Sequence, residues 1–433
     1  MSAGGCCIRR LLAAAGVGAA LLCGAPAAAG AATITSPYVV VLQDSVVDVN
    51  ATVNSLQSTL GFTTSFRYSS ALKGFAASLT SQQVSDLTAS SSVRYVTADK
   101  TFTATGLVAT AAGETVPVGI RRIAASTSTQ SHQSSGVNVA VLDTGIDLVN
   151  SDLNAVNGVN CITSTSTAAD DNGHGTHVAG ILGAKNSGTG VVGVAPATKL
   201  YAVKVLNAQK TGTLSQVLCG INWVTANAAA LNIKVASMSI SGAGANDNNC
   251  GNTNNDSWHK AICSSIAKGV TYVVAAGNNG ANLANYIPAA YPEVLTVTAM
   301  SDSDGVAGGL GAVPACKTGE KDDSYGVYSN YAVNATEQAH TIAAPGTCIV
   351  SDKRGGGTAI YYGTSQAAPH VAGAVALCIN DGGLPGPCAS LSPAQIIAKL
   401  RSDAATANSA FTGDPLRAIT GKYYGYLVSA GGY

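Results

Sequence analysis

The sequence predicts an α/β protein built on a doubly wound parallel sheet and preceded by a small ferredoxin-like α+β module. Three observations carry that prediction. Beyond residue 135, short continuous apolar runs alternate with helical patterns, as strands buried on both faces require. Residues 38–99 pass through strand-like and helix-like patterns in a stretch without cysteine. Eight of the 11 cysteines lie at or beyond Cys161, so the C-terminal part is the one that disulfides can staple.

At the N-terminus, Arg9 and Arg10 precede a small apolar stretch from Leu11 to Cys23, and Ala27 to Ala32 offer A-x-A cleavage choices. A basic region, a short apolar region and small residues together predict a secretory signal over residues 1–32. The apolar region falls short of the roughly 20 residues that span a bilayer. Residues 33–105 are read as a separate module with a β-α-β-β-α-β order. Its parts are a strand from Tyr38, helical spacing over 46–60, a strand over 72–79, a helix over 80–90 opened by Thr80 and Ser81, and a strand from Val93. Residues 100–135, rich in Thr, Ala, Ser and Gly, read as a linker running into the last domain, 106–433. There V-N-V-A-V-L-D ends at Asp143. Apolar runs follow at 199–206, 235–240, 270–277 and 294–299, with a helix candidate over 214–229 and a long one starting near Ser365.

With 23 basic and 23 acidic residues and only 11% charged positions, the chain lacks the concentrated basic surface of a nucleic-acid binder. Hydrophobic residues make up 46% of the sequence, which excludes intrinsic disorder, and its 49 glycines show no three-residue period, which excludes collagen. The cysteines show no C-x-x-C pair, and eight in an exported chain predict four disulfides. Cys250–Cys263 and Cys378–Cys388 are the nearest sequence neighbours, leaving Cys161–Cys219 and Cys316–Cys348.

Three segments fall where an α/β sheet places its chemistry, at strand ends and helix starts. V-L-D-T-G ends a buried strand at Asp143. N-G-H-G-T-H-V-A-G presents His174 in a glycine-flanked turn. G-T-S-Q-A-A-P-H-V-A-G presents Ser365 at another helix start. A serine hydroxyl needs a base to attack a carbonyl, and the base needs a third group to hold its tautomer. These three residues supply those types. Zinc on His174 and His177 is disfavoured because H-E-x-x-H is absent. His132, His259, His340 and His370 read as structural or exposed.

D-T-G, H-G-T-H-V-A-G and G-T-S-x-A-A-P-H-V-A-G, in that order, resemble the three signatures of the subtilisin-like serine proteases. The resemblance runs from about Val116 to near the C-terminus, and residues 38–99 resemble the inhibitory propeptide of the same family. It implies a subtilisin-like fold and a secreted serine endopeptidase that cuts protein or peptide substrates through an acyl-enzyme. Asp143 would orient the imidazole, His174 act as base and then acid, and Ser365 as nucleophile. A-A-G-N at 275–278 matches the oxyanion segment, so the side chain of Asn278 would be a donor beside the Ser365 backbone N–H. M-S-I-S-G at 238–242 resembles the segment that binds substrate backbone as an added strand. Ser239, Ile240, Ser241 and Gly242 would then face Ala275, Ala276 and Gly277 across the pocket for the residue before the scissile bond. Gln366 stands where the family usually has methionine, and Ser241 where glycine is usual.

The resemblance also implies a structural calcium ion and no organic cofactor. Asp152 matches a ligand position, and K-N-S-G-T-G-V at 185–191 matches the calcium loop in length. The carbonyls of Lys185, Thr189 and Val191 would serve a hard cation, with Ser187 at the middle ligand position. D-N-N-C-G-N-T-N-N-D at 247–256 is either a further oxygen-rich site or a turn pinned by Cys250–Cys263. The propeptide is expected to act as an intramolecular inhibitor, cut by Ser365 between about Thr101 and Val116. The mature chain is expected to be an extracellular monomer free of membrane and nucleic acid. The competing reading is a catalytically silent peptide-binding protein on the same scaffold.

Overall fold

The computed structural model describes residues 34–70, 72–99 and 107–433. The signal-peptide expectation for residues 1–32 and part of the expected cleavage stretch lie outside the described residues. The chain divides into two compact units, Met1–Thr103 and Ala104–Tyr433.

In the first unit, four antiparallel strands carry two helices, Val49–Leu60 and Ser81–Ala89. Asp48 caps the first helix through the Ala51 N–H, and Thr80 and Gln83 close a reciprocal capping box on the second. The strands run in the spatial order Thr64–Tyr68, Gly74–Leu79, Ser36–Leu42, Val93–Ala98. Thr64–Tyr68 supplies the strand that the sequence pattern leaves unlocated. It is an exposed edge strand with no buried residue, although it carries Phe66 and Tyr68. Phe62 stacks on Phe75 with ring centroids 5.2 Å apart, inside a small core with Val40, Leu42, Val53 and Leu87.

The second unit is organised by a parallel sheet. Its spatial order is Thr341–Pro345, Leu295–Ser301, Thr271–Ala275, Ile233–Met238, Asn138–Asp143, Leu200–Lys204, Ala155–Asn160, with the short antiparallel strand Ser324–Tyr325 beside the end of Leu295–Ser301. Alternate residues of each central strand enter different cores. Val139, Val141, Val235 and Val273 pack on one side, and Ala140, Leu142, Ala236 and Val274 on the other. The chain winds outward from Asn138–Asp143 in one direction, then returns to Ile233–Met238 and continues in the other. The crevice between these two strands is therefore a topological switch point, where open α/β sheets bind their ligands.

The composition of 100–135 predicts a linker, and the described part of it, from residue 107, is instead packed structure. Val108–Ala109 pairs with Gln130–Ser131, and Val118–Arg122 forms a short helix. Ile120, Ile123 and Ala125 enter the larger core. The Arg122 guanidinium is buried between Asp302 and Asp323, at 2.5 and 2.7 Å. Small residues gave this segment a loop-like composition, yet small size is what lets it lie against the core.

Disulfides join Cys161–Cys219, Cys250–Cys263, Cys316–Cys348 and Cys378–Cys388, all in the second unit. The 247–256 segment is a turn: the Asp247 carboxylate accepts the backbone N–H groups of Asn249, Gly251, Thr253 and Asn254. Among the described residues, no helix is long and apolar enough to cross a membrane.

Candidate active site

Asp143 is the last residue of its strand, and its side chain is fully buried. Its Oδ1 accepts the Thr144 N–H at 2.7 Å and faces His174 Nδ1 at 2.7 Å. A carboxylate can only accept, so Nδ1 carries the proton and the neutral ring presents Nε2 as its acceptor. Burial pulls the imidazole pKa down, but the charge of Asp143 and its hydrogen bond outweigh this and hold it above the ordinary value.

The close approach of strand and helix depends on glycine. A Cβ on Gly175, the second residue of the helix His174–Gly183, would lie 2.0 Å from the Gly145 carbonyl oxygen. Asp170 fixes the same junction. Its carboxylate accepts from the Thr144 hydroxyl, the Gly173 N–H and both the N–H and hydroxyl of Thr176. His177, one turn on, points elsewhere: its Nε2 faces the carbonyls of Ile349 and Ala359, and its ring stacks on Tyr361. Burial pushes it down to about 4. The two histidines do not converge on a metal. His132, His259, His340 and His370 are all buried, so their structural reading holds and exposure does not.

Ser365 is the second residue of the helix Thr364–Ile379, and no hydrogen bond to its backbone N–H occurs among the described residues. Pro369 lies four residues on and has no N–H to give the Ser365 carbonyl. The Ser239 hydroxyl donates to that carbonyl at 2.9 Å, tying the helix to the 239–242 segment. Ser365 Oγ in turn donates to the Ser239 carbonyl at 3.4 Å. Gln366 is buried, with an amide Nε2 that finds no partner.

Asn278 is exposed and oriented by its neighbour in the fold. Its Oδ1 accepts the Thr364 N–H at 2.8 Å and the Thr364 hydroxyl at 2.9 Å, which turns Nδ2 away as a free donor. Thr364 Oγ1 also accepts the Gly277 N–H. Buried Asn330 holds the loop from behind: Nδ2 donates to the Ala276 carbonyl, and Oδ1 accepts from the N–H groups of Asn279 and Ala281.

Two clefts meet at Ser365. One, of about 410 Å³, is lined by Ser239, Ile240, Ser241 and Gly242 on one wall, with Ala275, Gly277 and Asn278 opposite. Ala276 is not part of it; it is buried, with its N–H on the Val297 carbonyl. Tyr286, absent from the motif reading, also lines this cleft, and Gly242–Ala243 pairs antiparallel with Tyr286–Ile287. The other cleft, of about 260 Å³, brings His174, Ser365, Gln366 and Asn278 together with Lys210, Tyr361 and Tyr362.

The loop expected to hold calcium lies against Asp152. Ser187 Oγ donates to Asp152 Oδ1 at 3.4 Å and the Val191 N–H to Oδ2 at 3.3 Å, while the carbonyls of Lys185 and Val191 accept no hydrogen bond among the described residues. Ser187 Oγ also donates to the Thr189 carbonyl. Two groups that no motif indicates join them, Glu114 and Asp352. Burial, then the charge of Asp152, raises the pKa of Asp352; burial also raises that of Glu114. Glu114 Oε1 and Asp352 Oδ2 are buried without partners. Excess carboxylate and unmet oxygens are the environment that an oxygen-seeking divalent cation fits.

Residues 134–419 match the model of the Subtilase family, and residues 37–105 match that of Peptidase inhibitor I9. The chain is 34% identical to Subtilisin DY of Bacillus licheniformis over 303 residues, covering 69% of this chain and 94% of that one. It is 33% identical to Subtilisin E of Bacillus subtilis over 310 residues, 70% of each chain. Among solved structures, Sphericase aligns with a TM-score of 0.59 and 28% identity, over 74% of this chain and 99% of that one. The chain therefore belongs to the subtilase family of serine endopeptidases, on the subtilisin-like α/β fold, and carries an N-terminal inhibitor I9 propeptide.

Proposed function

We propose that the protein is a secreted, self-processing endopeptidase in which Asp143, His174 and Ser365 form the catalytic triad. The observation that carries this reading is the 2.7 Å contact of buried Asp143 with His174 Nδ1, in a chain whose His174 and Ser365 line one cleft. The Ser365 hydroxyl swings from the Ser239 carbonyl to His174 Nε2, which takes its proton as Oγ attacks the substrate carbonyl. Asp143 stabilises the imidazolium without accepting its proton. The Asn278 amide and the Ser365 N–H meet the oxyanion as charge develops. His174 then protonates the leaving amine, and water repeats the sequence in reverse to free the acyl-enzyme.

Substrate backbone lies along Ser239 to Gly242, with the side chain before the scissile bond entering the 410 Å³ cleft. Signal peptide 1–32, propeptide 33–105 and catalytic domain 106–433 are the boundaries we assign. The propeptide is cut by Ser365 between about Thr101 and Val116 and inhibits the mature, monomeric enzyme until degraded. Asp152, Ser187 and the carbonyls of Lys185, Thr189 and Val191 would hold calcium, which would cross-link its loop to the fold. The test is covalent labelling with a fluorophosphonate. The reading requires one label per chain, lost in Ser365→Ala, with the unprocessed precursor accumulating. A wild-type protein that binds peptides but takes no label would establish the silent-binder alternative instead.

A further inference from the structure

Asp352 ends the strand Ile349–Asp352, which pairs antiparallel with Thr358–Tyr361. This hairpin leads directly into Tyr361 and Tyr362 on the wall of the His174 cleft. It also packs hard against the histidine helix. Ser351 Oγ donates to the His177 carbonyl at 2.8 Å, and a Cβ on Gly180 would lie 2.4 Å from Ser351 Oγ and 2.9 Å from Asp352 Cβ. The helix side of the hairpin is thus fully engaged, while its Asp352 end is not. Asp352 is 3% exposed, its Oδ2 has no partner at hydrogen-bond geometry, and its carboxyl lies beside that of Asp152 and the side chain of Asn150.

The surrounding charges do not balance this pair. Glu114 adds a third carboxyl group. The charge of Lys185 acts on Asp152, but its Nζ donates to the Ser151 carbonyl at 2.6 Å. Buried like charges without a counter-ion repel unless a proton or cation joins them. Loop 185–191, which leaves the histidine helix, supplies oxygen donors beside Asp152, and Asp352 supplies an unused one from the hairpin.

We propose that Asp352 is a ligand of the calcium ion, so that binding the ion clamps the hairpin and its Tyr361–Tyr362 cleft wall to the loop that follows the histidine helix. The proposal rests on the calcium reading made above for Asp152 and loop 185–191. It makes the ion a link between two cleft-forming elements as well as a staple for one loop.

The test uses the full chain carrying Ser365→Ala to prevent autolysis, stripped with a chelator and titrated with CaCl2 in a calorimeter. Thermal unfolding and amide hydrogen exchange over 349–361 are followed with and without calcium. Asp352→Asn is expected to weaken calcium binding at least tenfold and to abolish calcium-dependent protection of the hairpin. Its unfolding midpoint without calcium should not fall, because an amide carries no charge to bury and can still donate to Asp152. Loss of the calcium-dependent rise without loss of calcium-free stability separates a ligand from a residue that merely supports the fold. If Asp352→Asn binds calcium as tightly as its parent while Asp152→Asn does not, calcium binds there and the Asp352 assignment is wrong. If the parent takes up no calcium at millimolar concentration, the calcium reading fails, and this proposal with it. Should Asp352→Asn not fold, Asp352→Ser, which also removes the charge, must show the same loss of affinity.

Discussion

Asn330 touches no substrate in the proposed mechanism, yet its removal should slow catalysis. Its side chain makes three hydrogen bonds to the 276–281 loop, at 2.9, 3.0 and 3.1 Å, and its own N–H donates to the Gly277 carbonyl. Asn330→Leu keeps nearly the same volume but strands the Ala276 carbonyl and two loop N–H groups. A buried polar group left unmet costs about 1–3 kcal/mol, and water can reach exposed Asn279, so the total should be about 2–4 kcal/mol. The loop relaxes, and the Asn278 amide no longer rests where the oxyanion forms. The ceiling on the rate effect is loss of that donor altogether, on the order of 100-fold or more, a magnitude established on a subtilisin rather than worked from this structure. We expect kcat to fall about 10- to 100-fold with KM changed little, since the lost interaction belongs to the transition state. Steady-state kinetics on a chromogenic peptide, in a double-mutant cycle with Asn278→Leu, decides the matter. If Asn330 acts through Asn278, the double variant is no slower than Asn278→Leu alone. Fully multiplicative losses would refute the positioning role.

Four further outcomes follow from the same structure. His174 must be neutral to accept a proton, and Asp143 raises its pKa, so kcat/KM should fall as pH drops through that raised pKa, above the range of a free imidazole; a profile flat to pH 4 contradicts the base assignment. Gln366→Met removes a buried amide without a partner and should stabilise the fold by about 1–2 kcal/mol in denaturant titration, while making activity newly sensitive to peroxide. Arg122→Ala leaves Asp302 and Asp323 buried without their cation and should cost about 3–5 kcal/mol; a loss below 1 kcal/mol would show that water or protons replace it readily. Tyr286→Gly enlarges the 410 Å³ cleft, so a peptide-library profile should shift toward bulkier side chains before the scissile bond, and an unchanged profile would remove Tyr286 from the pocket.

The parts legible in the sequence are those written in contiguous residues. Asp143, His174 and Ser365 each sit in a motif whose glycines and flanking apolar run announce a strand end or a helix start. The parallel strands are equally plain because both faces are buried. What sequence could not disclose is convergence. Asp352 lies 200 residues from Asp152, and Asn330 lies 52 from Asn278, each in a stretch with no motif of its own. Only the winding of the sheet brings them together. Thr64–Tyr68 is hard to read because its alternation of Phe66 and Tyr68 with Ser65 and Arg67 spans only five residues and its aromatics stay out of the core. The segment beginning at 107 reads as linker because buried Ala and Ser look like loop residues when packing is unseen.

The uneven distribution of covalent links sets a clock. Among the described residues, every disulfide closes a loop in the second unit, whereas the inhibitor module relies on one small core around the Phe62–Phe75 stack. A module of this size buries only about 60% of the surface of its unfolded chain and is correspondingly marginal. In the presence of a peptidase, each half survives according to how often it opens. If it is released as proposed, the inhibitor would have its lifetime written in its own folding equilibrium, while the cross-linked enzyme would outlast it. Latency is then tunable from within: a change that loosens the Phe62–Phe75 pair shortens the dormant period without touching a catalytic atom, and one that tightens it prolongs dormancy.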